Sequence, residues 1–80
     1  MLNDTILEMI DDELSLARHN FSNFKNYHEG YAVIKEEFDE LWMEIKRVKH
    51  FDTDHYKENI KTEAVQLAAM AIRFIEDLCE

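Results

Sequence analysis

Apolar residues recur along this chain in three runs, each with helical rather than strand spacing. In the first, Ile6, Met9, Ile10, Leu14 and Ala17 share one face between about Asn3 and Phe21. Asn3 or Asp4 can cap its start, because a short polar side chain accepts from the free amides of the first turn. The second run, from Tyr27 or Glu29 to Val48, carries the stripe Ile34, Phe38, Leu41, Ile45 and Val48, with Trp42 on its flank. Alternating steps of four and three make this stripe a seam for another helix. Gly30 lies near the start, where glycine costs less than in a helix interior. The third run, about Asp54 to Leu78, bears Ile60, Ala64, Leu67, Ala71, Phe74 and Leu78, reinforced by Ala68 and Ile75. A second row on it, Val65, Ala69 and Ile72, lies on the opposite side. A helix apolar on two sides is buried on two sides. The pattern therefore predicts an all-α, three-helix chain that associates as a homodimer or homotetramer, with helices of several copies in one bundle.

The connections read as polar breaks. Between His19 and Asn26, three asparagines and Ser22 interrupt the period, while Phe21 and Phe24 are expected to dock on the core. His50 to Asp54 forms the second connection, and Asp52, Thr53 or Asp54 can cap the third helix.

Composition narrows the reading. The chain has 80 residues, which allows a single domain over 1–80. One glycine and no proline exclude an all-β fold and a glycine-rich phosphate loop. The net charge is −9, and the basic residues are scattered among twice as many acids. A nucleic-acid interface, which needs a basic patch, is not expected. Residues 1–10 carry Asp4 and Glu8 without Lys or Arg, unlike a signal peptide, and no apolar run reaches membrane-spanning length. Cys79 is alone, so no internal disulfide and no cysteine zinc site can form; that usage fits a cytoplasmic protein. Cys79 also lacks an activating base and reads as an inert terminal thiol.

Charge placement carries the most information. Glu37 falls at the edge of the Ile34–Leu41–Val48 stripe, and Glu40 and Glu44 follow on the same flank. Like charges at such spacings repel by a few tenths of a kcal/mol per pair, about 0.2–0.5. Lys35, Lys46 and Arg47 are expected to point elsewhere on the helical wheel. On the third helix Glu63 projects between Leu67 and Met70, inside the apolar arc, with the neutral Gln66 one turn on. A carboxylate there is costly unless it is paired or metal-bound. If the two helices are antiparallel neighbours, these side chains converge, and clustered oxygen ligands suit Mg²⁺ or Mn²⁺. The plainer alternatives are a solvated acidic face and pairing of Glu63 with Arg18, Lys25 or Arg73.

The pattern Glu36-Glu37-x-x-Glu40-Leu41, followed by Glu63-x-x-Gln66, resembles the metal-binding motifs of the all-α NTP pyrophosphohydrolases, the MazG-like superfamily that includes the dimeric dUTPases. The third helix from Glu63 to Leu78, and His28-Glu29-Gly30-Tyr31-Ala32-Val33 before the first motif, look like small phage and bacterial members. The resemblance covers about Tyr27 to Leu78. It implies Mg²⁺-dependent hydrolysis of a nucleoside triphosphate to the monophosphate and pyrophosphate, in house-cleaning or nucleotide-pool control. It also implies Glu37, Glu40, Glu63 and Gln66 as metal ligands, and Glu36 and Glu37 as catalytic carboxylates, Glu36 as a ligand or the group that orients the water. The family's fourth ligand is Asp. Gln66 keeps an oxygen but removes a charge, which makes a non-catalytic helical interaction module the alternative. An acidic mimic of DNA is a third reading, against which Glu63 on the apolar arc argues. The four histidines, His19, His28, His50 and His55, lack metal-ligand spacing, although His28 is placed to touch phosphate. Trp42, Phe38 and Phe74 read as core, and Lys46 and Arg47 as complements to a helix C-terminus.

Overall fold

A computed structural model describes residues 2–48 and 53–80. It forms three helices, α1 (Asp4–Asn20), α2 (Tyr27–Lys46) and α3 (Thr53–Leu78), with no strand among the described residues. The expectations for His50, for the connection through Phe51 and Asp52, and for the side chains of Thr53 and His55 lie outside the described residues. No helix among those described is long and apolar enough to cross a membrane.

Caps set the boundaries. Asn3 Oδ1 accepts from the amides of Thr5 and Ile6 at 2.8 and 3.2 Å, which starts α1. Phe21 turns extended and ends it. Asn26 caps α2 by accepting from the Glu29 amide at 2.8 Å, and the Glu29 carboxylate accepts from the Lys25 amide at 2.9 Å. This exchange resembles a capping box.

The longest helix, α3, is the spine. α1 runs parallel to it, since Arg18 near the end of α1 meets Glu76 and Asp77 near the end of α3. α2 runs antiparallel, since Gly30 near its start lies against Phe74 and Leu78. The backbones of α1 and α2 each pack on α3 but not on one another. Two apolar rows on α3 thus have two partners within one chain. Ala69, fully buried, belongs to a cluster with Ala17, Phe24 and Met70, flanked by Ile10 and Leu14 of α1 and Val33 and Ile34 of α2.

This arrangement corrects the predicted faces. On α3 the row expected to be secondary supplies the more buried residues, Val65 and Ala69, while Ala64 and Ile75 of the main stripe are exposed. Ile72 is exposed as well. On α2 the inward face is Val33, Ile34, Glu37, Leu41 and Glu44; Phe38 (56% exposed), Trp42 (54%) and Ile45 lie outside. Ile6 of α1 is also exposed. Phe24 docks on the core as expected, but Phe21 does not and stays 65% exposed. The reason on α2 is Gly30. A Cβ there would meet the Phe74 ring at 2.5 Å, so the close approach of the two helices turns this face of α2 inward.

Candidate metal centre

Antiparallel packing of α2 on α3 brings the second turn past Gly30 opposite the middle of α3. Glu37 and Glu40 of α2 and Glu63 of α3 each offer a carboxylate oxygen, all within 4.8 Å of one another. Glu37 and Glu63 are half-buried and Glu40 is exposed. Gln66 sits between the helices. With its amide nitrogen turned toward the carboxylates, it donates to Glu63 Oε2 at 3.1 Å and to Glu37 Oε2 at 3.2 Å. The four residues expected as ligands are therefore together. Glu36 lines the adjoining cleft but stands outside the three-carboxylate cluster.

The electrostatics show what this costs. Burial first, and then the Glu40 and Glu63 carboxylates, push the Glu37 carboxyl up from 4.5 to about 7. Glu63 is raised too, by burial first and then by Glu40, Glu44 and Glu13. Desolvation and like charge act in the same direction here. No cation relieves them: among the described residues no Lys or Arg reaches Glu37, Glu40 or Glu63 within 4.0 Å. Of the expected partners, Arg18 and Arg73 are committed elsewhere, and Lys25 makes no ion pair with Glu63. Arg18 holds Glu76 and Asp77, and Arg73 donates to the Ser22 carbonyl at 2.6 Å.

Glu44 departs from expectation. Arg47 does reach back to it, at 3.3 Å. Its second oxygen, Oε2, is buried without a hydrogen-bond partner. A buried carboxylate oxygen left unpaired costs free energy and calls for an explanation, such as an ion or water. Lys46 lies over the Trp42 ring at 5.8 Å, so both basic residues at the end of α2 engage side chains of their own helix. His19 and His28 are exposed and outside the cluster.

Because α1 and α2 stand apart on α3, a cleft of about 490 Å³ opens between them. Glu13, Glu36, Glu37 and Gln66 line it, as do Asn20, Phe21, Phe24 and Arg73. A volume of this size suits a small organic ligand. Glu13 was not expected at the site. The signal was present, since Glu13 lies three residues after Ile10 and four before Ala17, on the inward face of α1. No protein-family model, no curated protein and no solved structure matches the chain. Its chemistry has to be read from these side chains.

Proposed function

We propose that this chain is a Mg²⁺- or Mn²⁺-dependent nucleoside triphosphate pyrophosphohydrolase of MazG-like kind, yielding the monophosphate and pyrophosphate. One observation carries the reading: three carboxylates meet without a cation at the edge of a cleft large enough for a small ligand. The donor set fits a hard divalent ion, being all oxygen and acidic. The orphaned Oε2 of nearby Glu44 is a further sign of unmet demand for positive charge. Glu37, Glu40 and Glu63 would hold the ion, with the Gln66 carbonyl turned toward it. The chemistry a bound ion supplies is neutralisation of phosphate charge and a more electrophilic phosphorus. Glu36, exposed in the cleft, accepts a proton from the attacking water. The water oxygen bonds to the α-phosphorus, the bond from that phosphorus to the bridging oxygen breaks, and pyrophosphate leaves.

Self-association belongs to the same reading. Phe38, Trp42 and Ile45 of α2 lie on the flank away from Glu36 and Glu40, and Ile72 and Ile75 of α3 are exposed. The radius of gyration is 13.8 Å, against roughly 12 Å for a compact chain of this length. Among the described residues no large side chain is fully buried. A second copy covering this face would complete the core.

Gln66 favours a second reading, a non-catalytic binding module. Its amide satisfies Glu37 and Glu63 without a metal, so the fold can persist after the chemistry is lost. Pyrophosphate release from a panel of NTPs and dNTPs, with Mg²⁺ or Mn²⁺, separates the two. Metal-dependent release that vanishes in Glu37→Ala is the expected result. Intact metal binding with no release from any nucleotide moves the assignment to the binding module.

A further inference from the structure

At the end of the cleft remote from the carboxylates, a buried guanidinium lies close to one phenylalanine ring and farther from a second, exposed one. Arg73 is buried on α3. Its guanidinium lies 4.0 Å from the centroid of the Phe24 ring, in contact. From the centroid of the Phe21 ring the same group stands farther, at 6.0 Å. Phe21 is among the most exposed apolar side chains of the molecule, at the rim of the cleft that Arg73 also lines. Burial normally removes such a ring from water, and here nothing covers it.

The guanidinium is incompletely satisfied. Nη2 donates to the Ser22 carbonyl at 2.6 Å, and the neighbour of Nη1 is the Met70 sulfur at 3.7 Å, a weak acceptor. Nε has no hydrogen-bond partner, with Asp77 at 3.8 Å. The planar cation gains cation–π attraction from a ring laid on its face, and its unpaired Nε–H, in the plane, stays available to a polar edge.

We propose that a nucleobase inserts between Phe21 and the Arg73 guanidinium, making Phe21 and Arg73 the base-binding pair of this site. The inference rests on the nucleotide reading above and names how the substrate is held. Two ring contacts of about 3.5 Å need roughly 7 Å. The Phe21 ring centroid stands 6.0 Å from the Arg73 guanidinium carbon, so a base enters as the Phe21 ring, which sits on the α1–α2 loop outside the core, swings away from Arg73. Seven residues of α3 separate Arg73 from Gln66, about 10 Å of helix, a distance that a sugar and its phosphates bridge. Stacking of this kind accepts any base, because every base has a π-face. The larger purine face binds more tightly than a pyrimidine. The substrate class is thus broad in base and requires one: bare polyphosphate lacks the group that the stack holds.

The test reads binding without metal, so it is separable from hydrolysis. GMP, UMP and ribose 5-phosphate are titrated by calorimetry and by amide NMR shifts, with EDTA present, into the wild type, Phe21→Ala and Phe21→Trp. Expected are GMP tighter than UMP, ribose 5-phosphate at least about tenfold weaker than either, and a loss of about tenfold for GMP in Phe21→Ala. Phe21→Trp retains GMP binding, and the shifts centre on Phe21, Phe24 and Arg73. An unchanged thermal midpoint in Phe21→Ala excludes misfolding as the cause. Equal binding of GMP and ribose 5-phosphate, undiminished binding in Phe21→Ala, or no binding of any nucleotide at millimolar concentration overturns the stack. Hydrolysis with Mg²⁺, scored on the same preparations, stands or falls independently.

Discussion

Two carboxylates on α3, Glu63 and Asp77, lie fourteen residues apart, close to four turns, and so face nearly the same way. Their surroundings are opposite. The Asp77 side chain, 2% exposed, would be pushed up by burial alone. The Phe24 amide, at 2.9 Å, and Arg18, also at 2.9 Å, overturn that and hold its carboxyl below the usual range. Glu63 meets four other acids, Glu37, Glu40, Glu44 and Glu13, as well as Gln66, and is pushed up. The chain can therefore pair a buried acid thoroughly, and does so where the α1–α2 loop must be fixed. At Glu63 it leaves acids crowded. One acid is complete in the folded chain, and the other is left among like charges, where we propose that a cation binds.

The comparison is broken most directly at Glu63. Glu63→Ala should abolish Mn²⁺ binding by calorimetry and reduce metal-dependent pyrophosphate release by at least about 100-fold, since removal even of groups behind a ligand costs 10–100-fold. The fold should survive, because a repelling charge has been removed. Unaltered Mn²⁺ binding would falsify the site. Asp77→Ala should do the reverse. It strands the Phe24 amide and takes Asp77 away from Arg18, which keeps Glu76 and Asn23; a buried donor left unsatisfied costs about 1–3 kcal/mol. Circular dichroism melts should show the midpoint falling by roughly ten degrees or more. A midpoint within a few degrees of wild type would mean that the loop is held by something other than this network.

How much of this was visible in the sequence follows from the same contrast. Three helices and the ends of α1 came through because Asn3 and the Asn-rich break are local signals. Glu63 and Glu37 were legible because an acid on an apolar arc is a conflict within one helix. The exposure of Phe38, Trp42 and Ile45 was not legible. It depends on how α2 rotates against α3, which the contact of Gly30 with Phe74 sets across the fold. The Arg18–Asp77 and Arg73–Ser22 pairs were hidden for a similar reason. They join residues more than fifty positions apart, and only the position of the loop over the end of α3 brings them together.

Gln66→Asp sharpens the crowded side. It replaces a donor that bridges Glu37 and Glu63 by a further negative charge. The metal-free protein should lose stability while Mg²⁺ affinity rises about tenfold, because ligand charge strengthens binding of hard cations. Turnover should rise with it. Lower affinity in this variant would assign the amide a role that a carboxylate cannot fill.

The smallest effect tests both acids at once, through pH. Glu37, raised to about 7, binds a proton in the folded chain at pH values where the unfolded chain has released it. Stability of the metal-free protein should therefore fall as pH rises from about 4.5 to about 7. Solvent screening of a half-buried group leaves an effect on the order of 1 kcal/mol. Asp77 has the opposite sign. Its folded value lies below 3.8, so its contribution is complete above 3.8 and is lost as pH falls through the folded value. The metal-free protein should be most stable in mildly acidic solution and decline on both sides. Glu37→Gln should reduce the upper limb without touching the acid limb, since Glu63 is raised as well, and Asp77→Asn should remove the acid limb alone. Saturating Mg²⁺ should reverse the upper limb, because the ion competes with the protons that crowding holds on the cluster. Thermal melts from pH 3 to pH 8, with and without Mg²⁺, read all of these shifts. An upper limb undiminished in both Glu37→Gln and Glu63→Gln would show that the unpaired charge of this molecule resides elsewhere than in the carboxylate cluster.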